Sequence, residues 1–327
     1  MWHEEEYIKK HIFLIGAWGE KKMWAIRIYS SLTLDLSTKI SEDFNVFSET
    51  NMSEHQHFYF SSYHLDSIPK EEPLRASYRA KALLQIFNGI LLLADDLILD
   101  YDLQDINYLE LDKWGHYDWS KHSVYKTNRE LEYEELQEPF QSTLGRVEKY
   151  KKVPLDHKNR RHYLVDFFDY ACKDEYIKEV LTLFILSKKD ILFILINTTK
   201  IIETIEHDLG IINASSGTEK IQLLSKEFQQ AYKFFKDPKS KFSHFSNSEY
   251  GSGIFARHGT SDKKKYHDKN GNLLPVISFN DIDINTRTLI YEWINYKLEV
   301  DKGYRYPPVV IKNNFDALTL SAKDIKF

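Results

Sequence analysis

The residues best equipped for chemistry lie late in the chain, between Phe242 and Lys265. Ser243, His244, Phe245, Ser246 and Asn247 come first, Gly251 and Gly253 follow, and then the tetrad Ala256, Arg257, His258, Gly259. Lys263, Lys264 and Lys265 stand just beyond. From Lys233 to Lys269 there are nine Lys or Arg against four Asp or Glu, a local excess of five positive charges in a chain whose net charge is −5. Positive charge interleaved with Phe242, His244, Phe245, Tyr250 and Phe255 suits phosphates held on Lys and Arg while bases stack on aromatic faces. The expected binding residues are therefore Arg257, His258, His244, Asn247, Lys263, Lys264 and Lys265. The competing reading is a solvated basic turn with structural Gly251, Gly253 and Gly259 and with the aromatics packed beneath it, since charge runs are usually solvated faces.

Other constellations each lack an essential partner. His55 and His57 project to one side of an expected strand, with Glu54 adjacent and His64 later. A zinc or iron site needs three or four convergent ligands, so two surface histidines beside Tyr59 and Tyr63 are expected. Glu203 and His207 share a helix face at i, i+4 without the second Glu-x-x-His of a di-iron bundle, and read as a surface contact. Asp95, Asp96, Asp100, Asp102 and Asp105 form an acidic cluster that lacks the glycine and final glutamate of an EF-hand, and fit helix termination and solubility. Gly16 to Gly19 lacks the Lys and Ser or Thr of a P-loop. Cys172 is flanked by Asp169, Asp174 and Glu175, whose charge disfavours a thiolate. No metal, cofactor or catalytic residue is assigned on these grounds.

The elements that must position these residues come from hydrophobic period. Trp24, Ile26, Ile28, Ser30, Leu32, Leu34 and Leu36 alternate with Ala25, Arg27, Tyr29, Ser31, Thr33 and Asp35, which predicts a half-buried strand over Met23 to Leu36. Further strands are expected at His55 to Asp66 and Ile106 to Trp114, and edge strands or a hairpin within Lys113 to Glu138. Glu72 to Asp95 reads as a helix, with Pro73 suited to its first turn. After Pro154 the pattern turns helical, over Arg161 to Cys172, Asp174 to Ser187, Asp190 to Leu209 with Gly210 as its stop, Thr218 to Phe235, and Asn285 or Thr286 to Val300. The predicted fold is α+β: a strand-rich part with one long helix over residues 1–150, then a helical domain over residues 151–327 carrying a long basic loop, 236–284.

An apolar content of 42% supplies a core, and the single cysteine excludes an internal disulfide and fits a reducing compartment. Met1 to Glu6 lack the cationic start of a secretory signal, so a cytoplasmic location is expected. Val180 to Ile196 is strongly apolar, yet Lys188, Lys189 and Asp190 interrupt it, each at a cost of roughly 2.5–3.5 kcal/mol inside a bilayer. Buried helices are expected there, and no membrane partner.

The helix ending in Glu203, Thr204, Ile205 and Glu206, the aromatic helix leading to Phe245 and Asn247, the Ala256 to Gly259 tetrad and the closing helix with Trp293 resemble uncharacterised bacterial proteins over residues 175–300. Their amino-terminal parts are also similar, with strands before a helix like Ala80 to Leu93 that contains an Asn88, Gly89 pair. That resemblance implies architecture and brings no activity with it. The helical part also resembles the HEPN ribonucleases of toxin and phage-defence systems, which carry Arg, four to six residues, then His. Here Arg257 is followed directly by His258, and the next histidine, His267, has nine residues before it. The HEPN resemblance would make Arg257 and His258 catalytic, one stabilising a phosphorane and the other moving a proton. The expected function is a non-catalytic binding module whose basic loop meets a protein or nucleic-acid partner, with homo-oligomers formed through the helical domain. A HEPN-like ribonuclease is the alternative.

Overall fold

The computed structural model describes residues 22–29, 44–50, 56–95, 98–111, 117–123, 139–140, 163–190, 193–211, 219–237, 242–247 and 277–308. The alternating run forms strand β1, Lys22–Tyr29, at the centre of a five-stranded antiparallel sheet. With β2 (Asn45–Thr50), β3 (Gln56–Ser61), β4 (Asp100–Leu111) and β5 (Tyr117–Ser123), the strand order is β2-β3-β1-β4-β5. The expected strand from Ile106 is thus the second half of β4. β5, from the stretch with no clear period, pairs with it along Asp105 to Leu111.

The expectation of a half-buried β1 is corrected by burial on both faces, because Trp24, Ala25 and Ile26 are all 0% exposed. One face carries Trp24, whose Nε1 donates to the Ile68 carbonyl at 2.9 Å, and Ile26, partnered across the sheet by Phe60. Phe60 continues into an aromatic core, where the Phe44 ring lies 5.7 Å from Phe60, 5.5 Å from Phe87 and 4.7 Å from Phe168. The other face gathers Met23, Ala25, Tyr59 and Leu109, with Phe47 and Trp119 packed against them. Residues Ser30 to Leu36 of the expected strand lie outside the described residues.

The strand expected to continue to Asp66 stops early. Ser62 accepts the His64 N–H on its hydroxyl at 3.3 Å and caps a helical turn, α1 (Tyr63–Asp66), so Tyr63 belongs to a helix. Helix α2 runs Pro73–Asp95, starting one residue after the expected Glu72. Near its end Asn88, 0% exposed, donates from Nδ2 to the Leu99 carbonyl at 3.0 Å and accepts the Leu99 N–H at 2.9 Å. The amide acts as a surrogate peptide unit for the chain as it leaves the helix.

Helices α3 (Tyr163–Ala171), α4 (Glu175–Lys189) and α5 (Ile194–Asp208) occupy the expected stretches. Asp174 starts α4 by accepting the Ile177 N–H at 3.1 Å. Asp190, expected at the start of α5, instead closes α4 through its backbone N–H to Leu186. Gly210, at φ 66°, supplies the left-handed backbone that ends α5.

The single helix expected over Thr218 to Phe235 is broken. Residues 219–222 are helical, a turn follows at Leu223, and Ser225 begins α6 (Lys226–Lys236) by accepting the Phe228 N–H at 3.1 Å. A short helix, α7 (Phe242–Ser246), precedes the last, α8 (Phe279–Lys302). α8 starts before the expected Asn285 because Ser278 caps it, accepting the Asn280 N–H at 3.1 Å. Gly303 ends it at φ 72°. Asn295 on α8 repeats the device of Asn88: it donates to the Tyr306 carbonyl at 3.3 Å and accepts the Tyr306 N–H at 3.1 Å, again eleven residues on.

The fold is α+β, an antiparallel sheet in the amino-terminal part and helices in the carboxy-terminal part. The chain divides into two compact units, Met1–Asn88 with Ile98–Lys173 and Gly89–Leu97 with Asp174–Phe327. Among the described residues no helix is long and apolar enough to cross a membrane.

Candidate functional site

The basic stretch is anchored at both ends by aromatic residues. α6 buries Phe228, Ala231 and Phe235 on one face while Lys226, Lys233 and Lys236 stay exposed. On α7, Phe242 and Phe245 share a face at i, i+3 spacing, and both are buried. Phe242 packs 4.8 Å from the Phe235 ring and 6.4 Å from Phe234. Phe245 meets Phe279, the first residue of α8, at 6.4 Å edge to face. Residues 247 and 277, which bracket the intervening segment, are thereby fastened to neighbouring points on the second unit.

Polar groups cluster at the first of these anchors. Ser246 is buried and donates its hydroxyl to the Ser243 carbonyl at 3.2 Å. The Asn247 N–H bonds to the same carbonyl at 3.2 Å, and Nδ2 reaches the Ser243 hydroxyl at 3.4 Å. Its Oδ1 is shielded from solvent and accepts no hydrogen bond among the described residues. An enclosed amide oxygen without a donor is costly, which makes it an acceptor suited to an incoming N–H or O–H.

The neighbouring charges are arranged in closed networks. Tyr232 donates to Glu206 Oε1 at 2.5 Å, and Lys236 donates to Oε2 at 2.9 Å. Burial, followed by the Glu206 carboxylate, pushes the Tyr232 phenol well above its ordinary value, so it remains a donor. Lys236 is therefore engaged within the protein. Lys297 likewise donates to both oxygens of Asp208, at 2.7 and 2.8 Å, and pairs with Asp174 at 2.7 Å, beside the Trp293 ring. Trp293 Nε1 completes this network by donating to Asp208 at 2.8 Å. Asp174, Asp208, Trp293 and Lys297 were invisible as a group in the sequence, where no spacing links them. Mutual satisfaction makes them a tie between α4, α5 and α8.

Of the expected site residues, Asn247 is placed at the end of α7 and His244 within α7 by its backbone. Arg257, His258, Lys263, Lys264 and Lys265 lie outside the described residues. His55 does as well, while His57 is half-buried rather than on the surface, with Nδ1 2.8 Å from Arg27 Nη2. His64 is buried on α1 between the rings of Tyr63 and Phe140, at 4.1 and 5.2 Å. Glu203 and His207 are exposed on α5, and the His207 ring stands 5.5 Å from Tyr176. Cys172 is half-buried in the turn after α3. Among the described residues no three His, Cys, Asp or Glu converge as metal ligands.

Compared with protein-family models, with curated proteins and with solved structures, the chain has no match in any of the three.

Proposed function

We propose that the chain is a binding module whose cationic segment before α8 docks on the phosphate backbone of a nucleic acid. One observation carries this reading: nine Lys or Arg against four Asp or Glu between Lys233 and Lys269, in a chain of net charge −5. Such asymmetry raises the local concentration of an anionic partner although the whole molecule repels one. The Phe245 contact with Phe279 supports it, because a segment fastened at both ends presents its charges with less ordering cost on binding. Arg257, His258, Lys263, Lys264 and Lys265 supply the contacts, with His244 and Asn247 at the anchor.

The test is fluorescence anisotropy of a labelled single-stranded RNA with the full chain across a salt series. Replacing Lys263, Lys264 and Lys265 together by Glu lowers the slope of log affinity against log salt by about 2, three phosphate contacts at about 0.7 each. An unchanged slope rejects the reading. The RNA is also expected to keep its length. Cleavage that is abolished by Arg257→Ala with His258→Ala would instead establish a ribonuclease.

A further inference from the structure

An independent observation lies on the sheet of the first unit. Arg27, half-buried on β1, donates from Nη2 to Nδ1 of His57 at 2.8 Å, and its Cζ stands 5.0 Å from the Tyr29 ring. The register brings these residues together. Arg27 is partnered by Tyr59 and Ile28 by Phe58, which makes His57 the diagonal neighbour of Arg27 and places Tyr29 two residues further along the same face.

A guanidinium has no lone pair to offer, so Nδ1 must be the acceptor and the imidazole must be neutral. His57 therefore aims the cation without neutralising it. Among the described residues no carboxylate pairs with Arg27, whose contacts are His57 and Tyr29. Taking a full charge partly out of water is unfavourable unless an anion meets it, and the guanidinium fork retains N–H donors in the geometry that fits phosphate oxygens. Tyr29 is 44% exposed with Arg27 at one side of its ring, which leaves aromatic area for a second flat group. A phosphate beside a flat ring is the chemistry of a nucleotide.

We propose that Arg27, held in position by His57, and Tyr29 bind a nucleotide unit, with its phosphate on the guanidinium and its base on the tyrosine ring. Glu49 holds the register position opposite His57 on β2. The ligand is either a free nucleoside phosphate or one link of a single strand. The site belongs to the first unit and does not depend on the cationic segment.

The experiment is calorimetric titration of the full chain with AMP, adenosine, inorganic phosphate and a short single-stranded RNA lacking terminal phosphates. AMP is expected to bind more tightly than adenosine or phosphate alone. Arg27→Gln weakens AMP about tenfold or more, whereas Arg27→Lys, which keeps the charge without the fork, gives a smaller loss and serves if the Gln variant fails to fold. Tyr29→Leu removes the advantage of AMP over inorganic phosphate. RNA that binds more tightly than AMP, and still depends on Arg27 after Lys263, Lys264 and Lys265 are changed to Glu, identifies a strand as the source. RNA that binds no tighter than AMP identifies the free nucleotide. The proposal is overturned if Arg27→Lys and Arg27→Gln leave both affinities unchanged. It also falls if neither AMP nor RNA binds once the three lysines are replaced.

Discussion

Replacing Asn88 by Asp changes one group of almost unchanged shape and makes a folding contact answer to pH. The native amide is fully buried, donates to the Leu99 carbonyl at 3.0 Å and accepts the Leu99 N–H at 2.9 Å. Asn88→Ala strands both backbone groups, at about 1–3 kcal/mol each, so it costs about 2–6 kcal/mol at any pH. In Asn88→Asp the introduced carboxyl, while protonated, can donate and accept as the amide does. Once ionised it keeps the N–H bond but sets an anionic oxygen against the Leu99 carbonyl in a buried site, so its folded pKa lies above the ordinary Asp value. Stability from a raised pKa is complete below the unfolded value and is lost as pH rises through the folded one. The loss is capped by the work of holding the proton on, about 1.36 kcal/mol per pH unit above about 3.9, hence about 4 kcal/mol near pH 7 and under about 1 kcal/mol near pH 4.5. Hydrogen exchange of backbone amides in Ile98–Leu111, taken as the ratio of the Asp to the Ala variant at each pH, removes the intrinsic pH dependence. That difference, at most about 3 kcal/mol, predicts that the ratio moves toward protection of the Asp variant as pH falls from about 7 to about 4.5, by up to about 100-fold. A ratio that does not move with pH would refute the surrogate-peptide role of Asn88.

Two further outcomes are expected. A Cβ on Gly89 would stand 3.1 Å from Leu181 Cβ and 3.3 Å from the Leu181 backbone oxygen. Overpacking of about 1–3 kcal/mol then outweighs the roughly 0.8–1 kcal/mol that Ala gains over Gly in a helix. Gly89→Ala therefore lowers the urea midpoint, and a raised midpoint would show that α4 shifts freely. Burial raises the Glu292 carboxyl against the opposing pull of Ser225 and Arg305. The stability it contributes is full below the unfolded carboxyl value and is lost as pH rises through the folded one. Glu292→Gln removes that slope, so its urea midpoint should gain on the native one with rising pH across this acid window, and parallel pH profiles would contradict this.

The sequence by itself determined the class of the fold and the places where local signals are strong. Alternation at Trp24, Ile26 and Ile28 specified β1, Pro73 marked the beginning of α2, and Gly210 the end of α5, because each acts through its own backbone geometry or side-chain period. The charge surplus between Lys233 and Lys269 is likewise a property of composition. β2 was missed, and the break at Leu223 was read through because the apolar spacing continues across it while the Ser225 cap competes with one more helical turn. Only tertiary structure decided that Trp24 and Ala25 are both buried, that Asn88 and Asn295 each serve a backbone eleven residues away, and that Arg27 finds His57. Propensity acts over a turn or two of chain. Strand register and the satisfaction of buried polar groups are settled among distant segments, and those are the terms that bring these side chains together.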